Sequence, residues 1–346
     1  MSPMPAAYAV EFTKGFRIGY REPELWPPAF TVLRSLASVA AMVGDKPLLD
    51  SILRGDVAAS AMLPLARCGN YVKPLVPVRL GAMASALRRA GGRGRKVEHY
   101  FTLSAAAELT RAFDSAAGLR GRQLVEAVAA HLAGAVEVVY AGEDVAVVCG
   151  KQEAGSLEGA EVVKPQLASE HRNAIDRVTG SAVPFVVTYA RAERMLLLLD
   201  SPPDLEESLK RALKLLGELG IGGLRSRGLG RFSSELVALA PDDAQALSRV
   251  RPFSRAPSGR YVVVLGELPV FSDAVEWGSS FFDSSVVAGF AGPPYAQTTF
   301  GPLVVAGLGA IVKVRSGTSP RAERLDVGSE LAPSTFVFNP LVVACE

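Results

Sequence analysis

The chain has 346 residues, room for about two domains of ordinary size. Apolar residues make up 49% and charged residues 21%, which excludes an intrinsically disordered chain. The formal net charge of +2 excludes an overall basic field, so any nucleic-acid contact has to rest on local patches. Cys68, Cys149 and Cys345 are odd in number, widely spaced and form no CxxC, which argues against a disulfide framework or a zinc site and fits a reduced cytoplasm. No basic segment followed by an apolar core opens the chain, so no signal peptide is expected. The longest apolar runs, such as 302–312, are too short to span a bilayer.

In chain order, residues 6–12 read as a first strand, and the turn 15–21 leaves it with two arginines. Residues 31–43 follow a helical stripe, with Arg34 and Ser35 near its start, and 45–53 suit a short helix. Residues 60–78 carry strand-like pieces broken by Pro64, Pro74 and Pro77 and suggest an irregular insertion. The stretch 88–96 holds five positive charges in nine residues and suits a solvated loop and an RNA contact equally well. Residues 104–113 and 123–132 read as helices, and 136–140 with 145–149 as a hairpin. Residues 185–189 and 195–199 read as the next strand pair. Ser201-Pro202-Pro203-Asp204 is expected to start a helix with a hydroxyl cap, and Leu205, Leu209, Ala212, Leu213, Leu216 and Leu219 form its apolar stripe. Glu206/Lys210 and Glu207/Arg211 are i,i+4 pairs on its other face, and Gly220 is the expected left-handed stop.

The loop 220–232 then carries five glycines, three arginines and one serine before a strand that starts at Phe232. Glycines let a backbone approach a ligand and expose N–H groups as an anion nest. Arg225, Arg227 and Arg231 add forked donors suited to phosphate, beyond what a turn needs. Polyanion binding is therefore preferred over an exposed hairpin loop with solvated charges. The helix precedes the glycines, so the loop is neither a P-loop nor a Rossmann turn. With the insertion 44–184 set aside, the order is β-α-β-β-α-β, an α+β, ferredoxin-like pattern over 1–245. Residues 241–259 read as a linker. Residues 250–346 read as a smaller β-rich domain whose pattern also admits a degenerate second ferredoxin-like unit.

This loop resembles the glycine-rich loop of the RAMP superfamily, the repeat-associated proteins of CRISPR systems. A second stretch, His171-Arg172-Asn173-Ala174-Ile175-Asp176-Arg177-Val178-Thr179-Gly180-Ser181-Ala182, is similar to the R-N-x-I-D-R-x-T-G-x-A signature of the fourth Csm subunit of type III-A interference complexes. The resemblance runs from the N-terminus to about Leu239. It implies an antiviral ribonucleoprotein subunit that holds the 5′ handle of the CRISPR RNA and contacts a polymerase-like large subunit and a RAMP backbone subunit. On the matching positions, Gly222, Gly223, Gly228 and Gly230 would admit the RNA backbone. Arg225, Arg227 and Arg231 would contact phosphates or stack on bases, and Ser226 would donate a hydrogen bond. Arg172, Asn173 and Arg177 would form a second contact surface.

The chain offers little acid–base chemistry. Some RAMP proteins cleave the transcript with a histidine near the first helix, and residues 31–43 hold none. His131 suits a packed or surface position on a helix, His99 has no motif around it, and His171 borders the signature. Asp176 has no carboxylate partner nearby in the sequence, which favours a local salt bridge or turn cap over catalysis. No enzyme activity, metal or cofactor is expected. Two alternatives remain: a processing endoribonuclease using His171, and a scaffold whose arginines bind an acidic protein.

Overall fold

The computed structural model describes residues 4–19, 23–78, 97–175, 178–290, 299–327 and 334–345. β1 (Ala6–Phe12) leads into α1 (Ala29–Val43), α2 (Lys46–Arg54) and a two-residue strand, β2 (Ala58–Ala59). An excursion follows: β3 (Leu65–Cys68), β4 (Tyr71–Pro77), β5 (Glu98–Thr102), α3 (Leu103–Ser115), α4 (Gly121–Ala135), β6 (Val136–Tyr140), β7 (Val145–Gly150), the single turn α5 (Ala154–Leu157) and β8 (Glu161–Val163). It ends in a long hairpin, β9 (Gln166–Ile175) and β10 (Ala182–Arg191). The chain then returns with β11 (Met195–Asp200), α6 (Glu206–Leu219) and β12 (Phe232–Leu236).

The strands β12, β1, β11 and β2 lie side by side in that order, each pair antiparallel. With α1 and α6 between them in sequence, this is the ferredoxin-like arrangement. Strand periodicity explains how one sheet feeds two cores. Tyr8, Val10 and Phe12 share a cluster with Met195, Leu197, Leu199 and the apolar stripes of α1 and α6. Ala7, Ala9, Leu196 and Leu198 point the other way, into a cluster with α3. The unbroken Leu run of β11 is thus a strand buried on both faces, not a helix fragment.

Several sequence expectations change. The second strand of the sheet is β2, so the excursion lies between the second and third strands, about 60–194, instead of 44–184. Two alanines are too short a signal to read. Residues 185–189 do not pair with 195–199: β10 pairs with β9 over its full length, and β11 with β1 and β2. The stretch 60–78 is regular where it matters, since β3 and β4 join a six-stranded sheet ordered β6-β7-β5-β4-β3-β8. Pro74 fits there because its pairing to β3 ends as pairing to β5 begins at Leu75. Ser201 makes no cap: a 3-10 turn, Pro203–Leu205, precedes α6 instead. Of the expected helix pairs, Glu206–Lys210 forms at 3.0 Å, while Arg211 donates to Ser208 Oγ at 3.1 Å. Gly220 has the positive φ expected of a stop, +78, but its ψ of 154 is not that of a left-handed helical residue.

The stretch 241–259 is not a linker. It forms α7 (Pro241–Leu247) and β13 (Val250–Pro252) and carries the fully buried Asp243. The remaining strands are β14 (Tyr261–Val264), β15 (Leu268–Pro269), β16 (Ser284–Phe290), β17 (Thr299–Ala306), β18 (Ile311–Lys313), β19 (Glu323–Val327), β20 (Ser334–Phe338) and β21 (Leu341–Ala344). They make sheets ordered β13-β21-β14-β18 and β15-β17-β16, plus the hairpin β19-β20.

Polar ties fasten these strands to the rest. α1 has no local side-chain cap after Pro27 and Pro28; instead Glu267 Oε2, 238 residues away, accepts from Ala29 N at 2.7 Å. Burial pushes the Glu267 carboxyl up to about 8 against the pull of that hydrogen bond. Asn339 Nδ2 donates to Gly55 O at 2.8 Å, and Asp114 Oδ1 on α3 accepts from Tyr261 N at 2.9 Å. Lys73 on β4 and Asp243 on α7 form a 2.9 Å ion pair in which both side chains are fully buried. Burial pushes the Asp243 carboxyl up to about 6 against the pull of the Lys73 charge and hydrogen bond. No helix among the described residues is long and apolar enough to cross a membrane.

Candidate nucleic-acid interface

The loop after α6 alternates anchors and arginines. Ile221 and Leu229 are 1% exposed and Phe232 is 6% exposed, while Arg225, Ser226, Arg227 and Arg231 face solvent. Arg225 to Arg227 form a 3-10 turn, entered through Leu224 at φ 57 and left through Gly228 at φ 82. A leucine in the left-handed region costs roughly 1–2 kcal/mol, so the surroundings must impose that conformation. Arg225, Arg227 and Arg231 form no ion pair with a described residue, although acids are plentiful in the chain. The C-terminal end of a helix carries partial negative charge, so α6 itself does not attract a polyanion. The arginines have to supply the positive potential here.

The glycines do a different job from the one the sequence suggested. A Cβ on Gly222 would lie 2.5 Å from Arg17 O, and one on Gly230 would lie 2.0 Å from Ile221 O. Both have φ +81. They admit the protein's own backbone, where the sequence suggested RNA. Gly223 is not in the left-handed region, and its Cβ would meet Arg17 O at an ordinary 3.6 Å. Gly228 combines φ +82 with open space. The expected nest of N–H groups is largely occupied. Gly223 N donates to Arg17 O at 2.7 Å, Gly230 N to Gly15 O at 2.7 Å and Gly228 N to Arg225 O at 3.0 Å. Most of the glycine N–H groups of this loop thus serve the fold, while the arginine side chains face solvent.

The segment 13–18 clasps two elements at once. Thr13 N donates to Arg231 O at 3.0 Å, which adds a third tie to the loop. Phe16 and Ala190 exchange hydrogen bonds at 2.8 and 2.9 Å, and the Arg17 guanidinium donates to Thr188 O, which ties in the β9-β10 hairpin. Lys14 reaches Glu170 on β9 at 2.9 Å. The hairpin face that meets the loop carries Arg172 opposite Phe185, and the Arg227 guanidinium lies 5.6 Å from the Phe185 ring centroid.

The second predicted surface is thus divided. Arg172 is half-buried on the face towards the loop, whereas Asn173 is exposed on the opposite face with His171. Arg177 and the basic stretch 88–96 lie outside the described residues. Sequence reasoning missed Lys14 and Phe185, and took Arg34 and Arg17 only as features of α1 and of a turn. Arg34 on α1 lies 5.3 Å from the ring centroid of Phe336 on β20. Burial, and then the Arg225 charge, lower its pKa, so the two arginines feel each other across the surface. The turn 15–21, with its two arginines, was the signal available for Arg17. No sequence signal pairs Phe185 with Arg227.

An anchored Gly-Arg loop beside a charged hairpin, on a sheet of β12-β1-β11-β2 order, invites comparison with known proteins. Residues 81–233 match the RAMP superfamily. The matched segment contains the hairpin and the whole of the loop, but neither β1 nor the clasp 13–18. No curated protein matches the chain. Among solved structures, a chain from the crystal structure of a Csm3-Csm4 subcomplex in the type III-A CRISPR-Cas interference complex shares the fold. The match has TM-score 0.53 and 13% identity and covers 98% of this chain and 99% of that one. A chain from a Csm1-Csm4 cassette in complex with AMPPNP matches at TM-score 0.46 and 14% identity, over 99% of this chain and 98% of that one. The RAMP resemblance read from the loop and the signature thus agrees with the family match, and the mixed α+β fold with a solved relative.

Proposed function

We propose that this chain is a non-catalytic subunit of a type III CRISPR effector ribonucleoprotein. It holds the repeat-derived 5′ handle of the CRISPR RNA and links the polymerase-like large subunit to RAMP backbone subunits in the cytoplasm. One observation carries the reading. Arg225, Arg227 and Arg231 stand exposed, without a described acidic partner, on a loop fastened beside the Arg172–Phe185 face of the hairpin. Arginines next to an aromatic suit a single-stranded backbone with splayed bases. The link to a type III-A assembly draws support from the fold shared with a chain of the Csm3-Csm4 subcomplex. The link to the large subunit draws on the 171–182 signature.

A processing endoribonuclease is disfavoured by the position of His171. It lies on the hairpin face away from Arg172 and the Gly-Arg loop, so a strand held there would pass it by. The test uses the purified chain with labelled RNA carrying the 5′ handle. Binding without strand cleavage, unchanged in His171→Ala, is the expected result. Metal-independent cleavage that disappears in His171→Ala would establish the nuclease instead.

A further inference from the structure

Glu170 precedes Arg172 by two residues on β9, so both side chains leave the hairpin on the face that meets the Gly-Arg loop. A single atom, Glu170 Oε2, accepts from Lys14 Nζ at 2.9 Å and from Arg172 Nη2 at 2.9 Å. Two cations from separate segments therefore converge on one anionic oxygen. The Arg172 contact is one-point: its Nε is buried and makes no hydrogen bond, so the forked face that suits phosphate is not used. The cluster is open to solutes, with side-chain exposures of 38% for Lys14, 37% for Glu170 and 20% for Arg172. Hydrogen bonds from Lys14 and then Arg172 hold the Glu170 carboxyl below the usual carboxylate range, so it is anionic at neutral pH. An exposed pair of this kind contributes little stability and exchanges readily.

We infer that Lys14 is a further RNA-binding residue, and that Glu170 holds Lys14 and Arg172 in the free protein where a phosphate of the RNA takes them over. This rests on the reading that single-stranded RNA lies beside the Gly-Arg loop. Glu170 acts as an internal stand-in for phosphate. It keeps the two cations in place and together while the site is empty, and its charge opposes the incoming backbone. The arrangement sets affinity below what the cations alone would give, and so favours a ligand that engages the loop as well.

The experiment titrates the full-length chain with a labelled single-stranded RNA carrying the 5′ handle, at several salt concentrations. Glu170→Gln keeps an acceptor but removes the charge. It is expected to bind about two- to fivefold tighter, the range that one exposed ion pair allows. Its log–log salt slope should steepen by about 0.7, one added single-strand contact. Lys14→Gln should bind more weakly, with a slope reduced by about 0.7. Equal or weaker binding by Glu170→Gln would show that Glu170 positions the cations for RNA, and overturns the inference. Unchanged binding by Lys14→Gln overturns it as well. The combined Arg225, Arg227, Arg231→Ala variant is run alongside. If that variant loses RNA while Glu170→Gln does not gain it, this inference falls alone; if the wild type binds no RNA, it falls with the reading it rests on.

Discussion

Lys73 and Arg227 show two opposite uses of a cation in one chain. Lys73 is fully buried and bonded to an equally buried Asp243, and the pair joins β4 to α7 across 170 residues of sequence. Arg227 and its neighbours Arg225 and Arg231 are exposed and form no ion pair with a described residue. The first charge is committed to the fold, because a partner removed there leaves an ion without water. The second set is left uncommitted by the fold, because its loop is held by Ile221, Leu229 and backbone hydrogen bonds instead. Charge that the structure does not need for itself is the charge available to a ligand.

That contrast is sharpened first where the effect is largest. Lys73→Ala leaves Asp243 buried and unpaired and should cost about 3–5 kcal/mol in chemical denaturation. Replacing both with apolar residues of similar volume should recover most of the loss, and no recovery would show that the loss does not come from an unpaired buried carboxylate. Next, Gly230→Val places a side chain 2.0 Å from Ile221 O at φ +81 and should lower stability by at least about 2 kcal/mol. Gly223→Ala should stay within about 0.5 kcal/mol of wild type, since its Cβ would make only an ordinary contact with Arg17 O and its φ lies outside the left-handed region. Equal thermal shifts in these two variants would refute the distinction between structural and permissive glycines.

A third test concerns Glu267, which ties β15 to the start of α1. Its folded pKa of about 8 lies above the ordinary 4.5, so folding takes up a proton between those values. This contribution is fully present below about pH 4.5 and is lost as pH rises towards 8, at a slope of at most about 1.4 kcal/mol per pH unit. Subtracting the pH–stability profile of Glu267→Gln from that of the wild type should isolate this slope. Parallel profiles would mean that the carboxyl is ionised throughout. The smallest effect on the fold belongs to the combined Arg225, Arg227, Arg231→Ala variant, whose stability should stay within about 0.5 kcal/mol of wild type.

Much of the frame was legible in the sequence because it rests on periodicity. β1 alternates, α1 and α6 carry apolar stripes, and the loop 220–232 announces itself by composition. What stayed hidden depends on long-range pairing. β2 is two alanines, given its identity only by the partners Leu199 and Asp200. Residues 185–189 read correctly as a strand, yet their partner lies at 168–172, not at 195–199. Pro241-Asp242-Asp243 looked like a linker because no local pattern marks Asp243 as the partner of Lys73. The same limit applies at the site. The arginines were visible as a cluster, but their neighbours Lys14 and Phe185 come from distant segments that only the fold brings together. The glycines were visible too, though not whether they make room for RNA or for the protein's own backbone.

The measurement closest to the central claim is the salt dependence of RNA binding by the combined Arg225, Arg227, Arg231→Ala variant. Each lost phosphate contact on a single strand should reduce the log–log slope by about 0.7, so three should remove roughly 2 units. The account predicts weaker binding of the 5′ handle, a slope lowered by about that amount and an unchanged melting temperature. Unchanged affinity and slope would contradict it, and would move these arginines to the surface for an acidic partner protein.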